Sequence, residues 1–372
     1  MAELDLFAEA NRQLTICNAC RYCEGLCPVF PALEMRKTFT PQDIRYLANL
    51  CHDCRACEQA CMFIPPHEFG ITFPRIMSEV RMESYEHWSW PNFLARSFSE
   101  TPKGIWLGLA ASAIVFVVAF FMIPSSRLFA VHTEPGSFYQ VVPYLVMIVP
   151  AIFLVAYGAA IWIQGAARFW TDAHDSQASN NARSFGPLWR ALRDSFTVKY
   201  LGGGGAGCAY PTTTPTQARR VFHALVFWGF LSDCISTTLA FLYQDFRHIP
   251  PPYAFTSLPV IFGTCGGVAL VVGVVGLIYF KIRSDHEQAA DKAYGLDYAF
   301  LVFLGLAAFT GLLTLVLRST AAMGTVLILH LGTVAGLFIT APYGKFVHFV
   351  YRVSALIRFQ IEAQGGKALG GH

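Results

Sequence analysis

The sequence predicts an all-α protein in which a polar N-terminal domain precedes a bundle of membrane-spanning helices. Of the 372 residues, 54% are apolar and 14% are charged, whereas about 25% charged residues are typical of soluble proteins. The first hundred residues carry an ordinary share of Lys, Arg, Asp and Glu, and long apolar stretches fill the rest of the chain. A soluble head therefore precedes a membrane body.

Six apolar stretches of the body are long enough to cross a bilayer, which takes about 20 helical residues. We therefore expect a six-helix transmembrane bundle. The stretches are 105–124, 141–163, 221–243, 258–280, 297–317 and 323–347.

Basic residues determine the predicted orientation. They are concentrated in the loops on the side of the head, and only Arg127, Arg247 and Arg318 fall on the opposite side, so the positive-inside rule places the head in the cytosol. The acidic start MAELDLFAEANRQL does not have the pattern of a secretory signal. Six spans then bring the C-terminus back to the cytosol. We expect a head at 1–100, a membrane domain at 101–360 with a long head-side loop at 165–220, and a tail at 361–372.

Eight of the eleven cysteines form two runs with the same spacing, C-x2-C-x2-C-x3-C. This spacing is typical of paired [4Fe–4S] clusters, because three closely spaced thiolates hold one cubane and the fourth ligates the other. Zinc is the alternative, but it takes four tetrahedral ligands, usually as two pairs, and two identical quartets fit it poorly. Reduced cytosolic thiols also favour metal ligation over disulfides. The expected ligands are Cys17, Cys20, Cys23 and Cys61 for one cluster and Cys51, Cys54, Cys57 and Cys27 for the other.

The segment between the two cysteine runs predicts a helix. Thr40 suits the N-cap, Pro41 the first position and Asp43 the third. A helix here favours the helical ferredoxin type found in iron–sulfur subunits of succinate dehydrogenase and heterodisulfide reductase. His52 and His67 lie beside the cysteines, but the set of thiol ligands is already complete, so we expect them to be neighbours rather than ligands.

Two histidines at matching membrane depth predict a haem. His223 opens the third span and His348 closes the sixth, both on the head side, as two axial ligands of one b-type haem require. The alternative is that they are histidines at the lipid–water interface, but the matching depth and the nearby cluster head favour haem. Arg219 and Arg220 are candidates to bind a haem propionate, or else to anchor the span at the lipid headgroups.

A third histidine predicts a further membrane site, because ionisable residues in lipid are costly. His330 is expected on one continuous helix with His348, on the same face and about 27 Å away. Asp233 is at membrane depth on the third span, and we expect it to pair with His330 in a proton relay or a quinone site. The alternative is an outer haem bound by His132 or His248.

The stretch GGGGAG at 202–207 formally matches the dinucleotide pattern G-x-G-x-x-G. No strand precedes it, and Pro211 follows where a helix should begin, so we interpret it as a flexible loop. No basic stripe with interleaved aromatic residues indicates nucleic-acid binding. Because no nucleotide-binding or hydrolytic motif is present, electrons must come from another protein.

Two resemblances rest on these residues. The stretches RRVFHALVFWGFLSDCISTTLAF and LILHLGTVAGLFITAPYGKFVHFVYR are similar to the haem b subunits of the nitrate reductase gamma type, in which two histidines of one span pair with two of a later span. His223, His330 and His348 match three of these, and Asp233 lies near the fourth. The cluster head, the spans and the stretch RALRDSFTVKYLGGGGAGCAYPTTTPTQARRVFH resemble the tricarballylate (citrate/tricarballylate) utilisation protein B family.

The second resemblance implies a multi-pass protein of the bacterial inner membrane. Such a protein reoxidises a soluble FAD-dependent dehydrogenase of the tricarballylate dehydrogenase type and passes the electrons to quinone. The sequence thus predicts an electron-transfer component with two [4Fe–4S] clusters and one or two haems b, and it leaves open whether the chain is itself an enzyme. The alternatives are a membrane-bound iron–sulfur redox sensor, or the electron-transfer partner of another flavoprotein of the cobalamin-precursor or heterodisulfide type.

Overall fold

The computed structural model describes residues 3–99, 103–172 and 185–369 of the chain. Within these ranges the regular elements are helices, apart from two short antiparallel strands, β1 (Cys208–Ala209) and β2 (Pro215–Thr216). The all-α prediction is confirmed.

The head consists of helices joined by turns and loops. They are α1 (Glu3–Cys20), α2 (Val29–Glu34), α3 (Pro41–Leu50), α4 (Ala56–Ala60), α5 (Phe73–Trp88) and α6 (Asn92–Ser99). At the start of α3 the Thr40 hydroxyl accepts the N–H of Asp43 at 3.2 Å, and the Asp43 carboxylate accepts the N–H of Thr40 at 3.2 Å. This reciprocal capping, with Pro41 in the first turn, satisfies donors that would otherwise lack partners. The helix start predicted from the sequence is confirmed.

The remaining helices form the membrane body and the segments that join it to the head. Two short 3-10 helices, Lys199–Gly205 and His286–Gln288, lie at the head side of the body. The α-helices are α7 (Lys103–Met122), α8 (Ser125–Leu128), α9 (Ser137–Val141), α10 (Tyr144–Asp172), α11 (Phe185–Phe196), α12 (Ala218–Arg247), α13 (Leu258–Arg283), α14 (Asp291–Leu317), α15 (Met323–Thr340) and α16 (Val347–Leu369).

The number of spans differs slightly from the six predicted. In the described part of the chain, five helices, α10 and α12 to α15, are long and apolar enough to cross a membrane, and α7 contributes a shorter apolar stretch at 106–122. Side chains on the outside of these helices are exposed and apolar, such as Phe121 at 81% and Ile163 at 70%, as expected where lipid replaces water. The chain is therefore a membrane protein.

The last predicted span is not one continuous helix. It divides into α15 and α16 at residues 341–346, which form turns. Pro342 lacks the backbone N–H that a continuing helix needs, and Gly344 follows. His330 and His348 therefore belong to different helices, and the separation expected along a single helix does not apply.

The head and the membrane body share one hydrophobic core. Leu14, Leu47 and Met77 of the head are fully buried, and they belong to the same cluster as Tyr351 and Ala355 of α16. Burial of apolar surface stabilises a fold by about 25 cal/mol per Å². The last helix is thus a structural part of the head.

Buried ion pairs add to this attachment. Arg36 of the head bonds to Glu362 of α16 at 2.6 Å and to Asp43 at 2.8 Å, and Arg358 bonds to Glu362 at 2.9 Å. Opposite charges alternate in this network, so none of these four side chains is left as an uncompensated buried charge.

Close crossing of α12 and α13 depends on facing glycines. A Cβ atom built on Gly229 would lie 2.9 Å from the Gly266 carbonyl oxygen, and one built on Gly266 would lie 2.8 Å from the Gly229 carbonyl oxygen. Small residues at such crossings let two backbones approach within the membrane. These glycines fix the position of α12, which carries His223.

We expect Gly266→Val to destabilise the membrane domain by about 1–3 kcal/mol, because the added side chain must push α12 away from α13. Thermal unfolding of the detergent-solubilised protein would show a lowered midpoint. The lipid-facing substitution Val272→Leu, at a side chain that is 48% exposed, is the matched control and should leave the midpoint unchanged. Equal stability of the Gly266→Val protein and the wild type would contradict the crossing geometry.

We expect Asp43→Asn to lower the unfolding free energy by about 1–3 kcal/mol at pH 7. Burial raises the pKa of Asp43, but hydrogen bonds from Arg36 and Thr40 outweigh it and hold the pKa below its ordinary value. The carboxylate therefore contributes fully above about pH 4, and its contribution is lost as the pH falls further. The unfolding midpoints of the wild type and the variant should differ at pH 7, and this difference should be smaller at pH 3. Glu79→Gln, in an exposed pair with Arg75, should have almost no effect at either pH.

Candidate cluster and haem sites

The eight cysteines line two cavities of the head, four in each. One cavity, here called the distal cavity, is lined by Cys17, Cys20, Cys23 and Cys61. The other, the proximal cavity, is lined by Cys27, Cys51, Cys54 and Cys57. Each cavity thus takes three thiols from one run and the fourth from the other run, which is the grouping that the sequence pattern predicts.

The two cavities differ in their distance from solvent and from the membrane helices. At the distal cavity Cys20 is exposed, and Tyr22 and Met62 are 66% and 62% exposed. Cys51 and Cys54 of the proximal cavity are buried, and their loop contacts the membrane helices. The distal cavity is therefore the one that a soluble protein can approach.

The thiols suit iron–sulfur ligation. Burial, and then the neighbouring cysteines, raise the pKa of Cys17 to about 12 and that of Cys23 to about 11, so the free thiols hold their protons at neutral pH and a metal must displace them. Backbone N–H groups point at two sulfurs, from Asp53 to Cys51 at 3.5 Å and from Phe63 to Cys61 at 3.4 Å. In the ranges described, no three His, Cys, Asp or Glu side chains converge as they would on a single ion. The thiols instead line the cavity walls, as ligands of a four-iron cubane do.

Arginine side chains hold the second cysteine run in place. The carbonyl of Cys51 accepts hydrogen bonds from Arg81 at 2.8 Å and from Arg352 of α16 at 2.9 Å. Arg219 of α12 donates to the carbonyl of Asp53. Buried carbonyls need donors, and here three arginines from separate helices provide them.

The positions of Arg219 and Arg220 differ from the propionate clamp considered from the sequence. Arg219 contacts the cysteine run, and Arg220 donates to the carbonyl of Thr197 at 3.1 Å. Both side chains are thus engaged by backbone of the head or of its adjoining loop. The reason is that α12 begins against the head and not at a free lipid surface.

The described part of the long loop packs against the cysteine runs. The N–H of Ala209 donates to the Cys54 carbonyl at 3.1 Å, and the guanidinium groups of Arg55 and Arg219 lie 4.7 and 4.6 Å from the ring centre of Tyr210. The loop therefore covers the proximal cavity on the side of the membrane. Residues 173–184 of the loop lie outside the described residues.

The stretch GGGGAG forms a packed turn and no dinucleotide-binding fold. Gly203 and Gly204 have positive φ angles of 49° and 70°, which side chains rarely adopt. A Cβ on Gly204 would lie 3.2 Å from the Cα of Leu26 in the first cysteine run. The glycines thus allow the loop to approach the head closely.

His223 and His348 face each other with the spacing of two ligands on one metal. Their ring centroids are 6.5 Å apart and their planes cross at 87°. Metal–nitrogen bonds of about 2 Å, with each ring centre about 1.1 Å behind its nitrogen, put the centroids of two axial imidazoles about 6.3 Å apart. The pair therefore fits the axial ligands of a haem.

The surroundings of the two histidines also suit a haem. Nδ1 of His348 lies 2.6 Å from the Lys345 carbonyl oxygen, so a proton on Nδ1 leaves the lone pair of Nε2 for a metal. Phe300 and Phe346 lie beside His348, with centroid distances of 6.5 Å from Phe300 to His348 and 4.9 Å between the two phenylalanines. Aromatic walls of this kind suit a flat apolar ring.

His52 belongs to the wall of the proximal cavity. Its Nδ1 lies 2.9 Å from the Leu50 carbonyl oxygen, and its ring is 5.6 Å from that of Tyr200. Burial, and then the positive charge of Arg352, hold the pKa of His52 well below its ordinary value. His52 is therefore neutral at pH 7.

His330 and Asp233 do not form the pair expected from the sequence. Nδ1 of His330 lies 3.1 Å from the hydroxyl of Thr310, whereas Asp233 lies beside Gly266 where α12 crosses α13. The expectation assumed that the third and sixth spans pack together, but α15 packs on α7 and α14. In the described residues no hydrogen bond joins the two side chains.

The candidates for an outer haem lie elsewhere. Both ring nitrogens of His132 are engaged, with Gln140 and with the Arg127 carbonyl oxygen at 2.7 Å each. His248 ends α12 with a φ of 54°. Neither histidine is close to an imidazole that would complete an axial pair in the described structure.

Sequence reasoning missed a set of buried charges beside the haem candidates. The carboxylate of Asp297 bonds to Lys281 at 2.5 Å and to Lys345 at 2.7 Å. Lys345 is also the residue whose carbonyl orients His348. The sequence places a charged residue at the head-side end of each of three apolar stretches. This pattern could have predicted the ion pairs, because such charges are stable there only when they are paired.

Two family models match the chain. The model of Citrate utilization protein B matches residues 100–368, and that of the Citrate utilization protein B Fer4-like domain matches residues 10–87. The chain belongs to the citrate utilization protein B family. Citrate utilization protein B of Escherichia coli is 38% identical over 375 residues, covering 98% of this chain and 94% of that protein. No solved structure matches the chain.

Membership of the family confirms the resemblance inferred from the sequence. The Fer4-like match includes all eight cysteines of the two runs. Together with the paired cavities, it supports iron–sulfur clusters and a role in electron transfer within citrate or tricarballylate utilisation.

Double substitutions test the crossed grouping of the cysteines. Cys17→Ser with Cys61→Ser removes two thiols of the distal cavity, so we expect one cluster to be lost and about four irons to remain. Cys17→Ser with Cys27→Ser removes one thiol from each cavity although both lie in one run, and we expect both clusters to be lost. Iron and acid-labile sulfide would be measured after anaerobic purification. Loss of both clusters in the first variant and of only one cluster in the second would show instead that each run binds its own cluster.

Proposed function

We propose that the protein is a membrane electron conduit that reoxidises a soluble FAD-dependent dehydrogenase. Electrons enter at a distal [4Fe–4S] cluster, pass to a proximal [4Fe–4S] cluster and then to haem b, and leave to quinone. The observation that carries the proposal is spatial order: the distal quartet with its exposed Cys20, the proximal quartet with its buried Cys51 and Cys54, and the histidine pair follow one another from the solvent towards the membrane helices.

The distal cavity serves as the entry point. Cys20 is exposed there and Met62 lies on its rim, so a partner protein can bring its flavin near the cluster. A reduced flavin releases two electrons, and the clusters and the haem each accept one electron at a time when bound. Two clusters in series let the protein accept both electrons from one partner.

The dehydrogenase is proposed from the family. The E. coli relative is named for citrate utilization, and the sequence resemblance implies a dehydrogenase of the tricarballylate type. A tricarboxylate is a small soluble anion, and a soluble flavoenzyme that oxidises it needs an acceptor for the electrons held by its reduced flavin. This chain would supply that acceptor.

The proposed location is the bacterial inner membrane, with the head and the C-terminus in the cytosol. The ion pair between Lys292 and Glu86 and the triad of Lys281, Asp297 and Lys345 lie at the head side, whereas Arg247 and Arg318 lie at the opposite ends of the spans. The greater number of basic residues near the head agrees with the positive-inside rule.

The haem assignment makes a direct prediction. His348→Ala should lose the haem absorbance and keep about eight irons per chain in the clusters, because the thiol cavities do not include this residue. His132→Ala should keep the haem, since that side chain is engaged by Gln140 and Arg127. In purified protein, the pyridine haemochrome assay measures the haem content and an iron assay measures the iron content of each variant. We expect one haem per chain in the wild type.

Electron delivery can be followed in a variant that lacks one ligand of the proximal cavity. Reduced partner flavoprotein is added to anaerobic membranes and the haem band is recorded. We expect rapid haem reduction in the wild type and none in Cys27→Ser, which lacks a proximal ligand. Haem reduction at the wild-type rate in Cys27→Ser would contradict the conduit.

A further inference from the structure

Two arginines connect the haem-ligand candidates with the second cysteine run. Arg219 precedes His223 by one helical turn on α12, and Arg352 follows His348 by one turn on α16. Residues four apart lie on the same face of a helix. Because α12 begins at the head and α16 ends in it, each arginine lies on the head side of its histidine.

Both arginines bind backbone of the same short segment. Arg219 donates to the carbonyl of Asp53, and Arg352 donates to the carbonyl of Cys51 at 2.9 Å. These carbonyls flank His52, and all three residues line the proximal cavity. The two haem-ligand helices are thus joined to adjacent points of one cluster-binding loop.

Neighbouring arginines do not make this connection. Arg220 donates to Thr197 in the long loop, and Arg81 binds Ala48 and Cys51 from within the head. Only Arg219 and Arg352, among the arginines of the described residues, join a helix that carries a haem-ligand candidate to the second cysteine run.

We propose that Arg219 and Arg352 are positioning residues that set both the distance and the driving force for electron transfer from the proximal cluster to the haem. The inference rests on the proposed function. A planar guanidinium binds carbonyl oxygens in a fixed direction, so the pair holds the cluster loop at one place above the histidines. Each arginine is also a half-buried positive charge near both cofactor sites.

The charge and the geometry have separate effects. Electron transfer from the proximal cluster to the haem would move one electron. The reduced cluster would return to its oxidised state and ferric haem would become ferrous, and no bond would form or break and no proton would move. Reduction makes each cofactor more negative, so a nearby cation stabilises the reduced form and raises the reduction potential. Removal of the cation lowers the potential, whereas loss of the fixed contact slows the transfer.

The test uses the full chain in lipid nanodiscs, with Arg219→Gln, Arg352→Gln and the charge-retaining Arg352→Lys. Arg283→Gln is the control, because Arg283 is exposed at the end of α13 and contacts the ring of Tyr279. Iron, sulfide and haem contents are measured first, then midpoint potentials by redox titration. Haem reduction by dithionite is timed by stopped flow, with Cys27→Ser giving the background of direct reduction.

We expect all four variants to keep wild-type iron and haem contents. Both Gln variants should show lowered potentials of the haem and the proximal cluster and about tenfold slower haem reduction. Arg352→Lys should restore the potentials but not the rate, since an ammonium keeps the charge without the planar contact.

Three outcomes would overturn the inference. Wild-type potentials and rates in both Gln variants would overturn it and leave the proposed function intact. Loss of iron or haem in both Gln variants would show that the arginines only support the fold. Wild-type protein without haem would contradict the proposed function itself, and the inference with it.

Discussion

The carbonyl groups of the second cysteine run are the point on which the rest of the structure depends. A loop that turns its thiols towards a cluster turns its carbonyls away, and buried carbonyls need donors. Arginines from α5, α12 and α16 meet that need at Cys51 and Asp53. A single set of hydrogen bonds therefore satisfies the loop and fixes α12 and α16, and the positions of His223 and His348 on these helices follow from it.

The membrane body accommodates charge in the same way. Lys345 lies in the break between α15 and α16, its ammonium group is paired with Asp297, and its carbonyl orients His348. The ion pair thereby ties α14 to a ligand candidate on another helix. Charged groups inside the body are costly, but the ion pairs of Asp297 with Lys281 and Lys345 join separate parts of the body, and Phe300 and Phe346 pack against each other nearby.

Features set by local spacing could be predicted from the sequence, and features set by helix–helix packing could not. The cysteine runs, the cap of α3 and the matching depth of His223 and His348 follow from residues that are near in sequence or from bilayer thickness. The pairing of His330 with Asp233 required knowing which spans touch, and hydrophobic periodicity does not encode that. The division of the last span was visible in Pro342 and Gly344, which a count of apolar residues overlooks. Arg352 resembled an ordinary basic residue of a cytosolic loop.

The shared core of the head and α16 has a consequence for biosynthesis. Ala355 and Leu356 are among the last residues of the described chain, and they fill the interior against Leu47 and Leu14 near its beginning. A ribosome exposes the N-terminal cysteines long before it releases α16, so the core of the nascent head stays incomplete until α16 has been synthesised. A truncated chain that ends before α16 would therefore leave the interior of the head open.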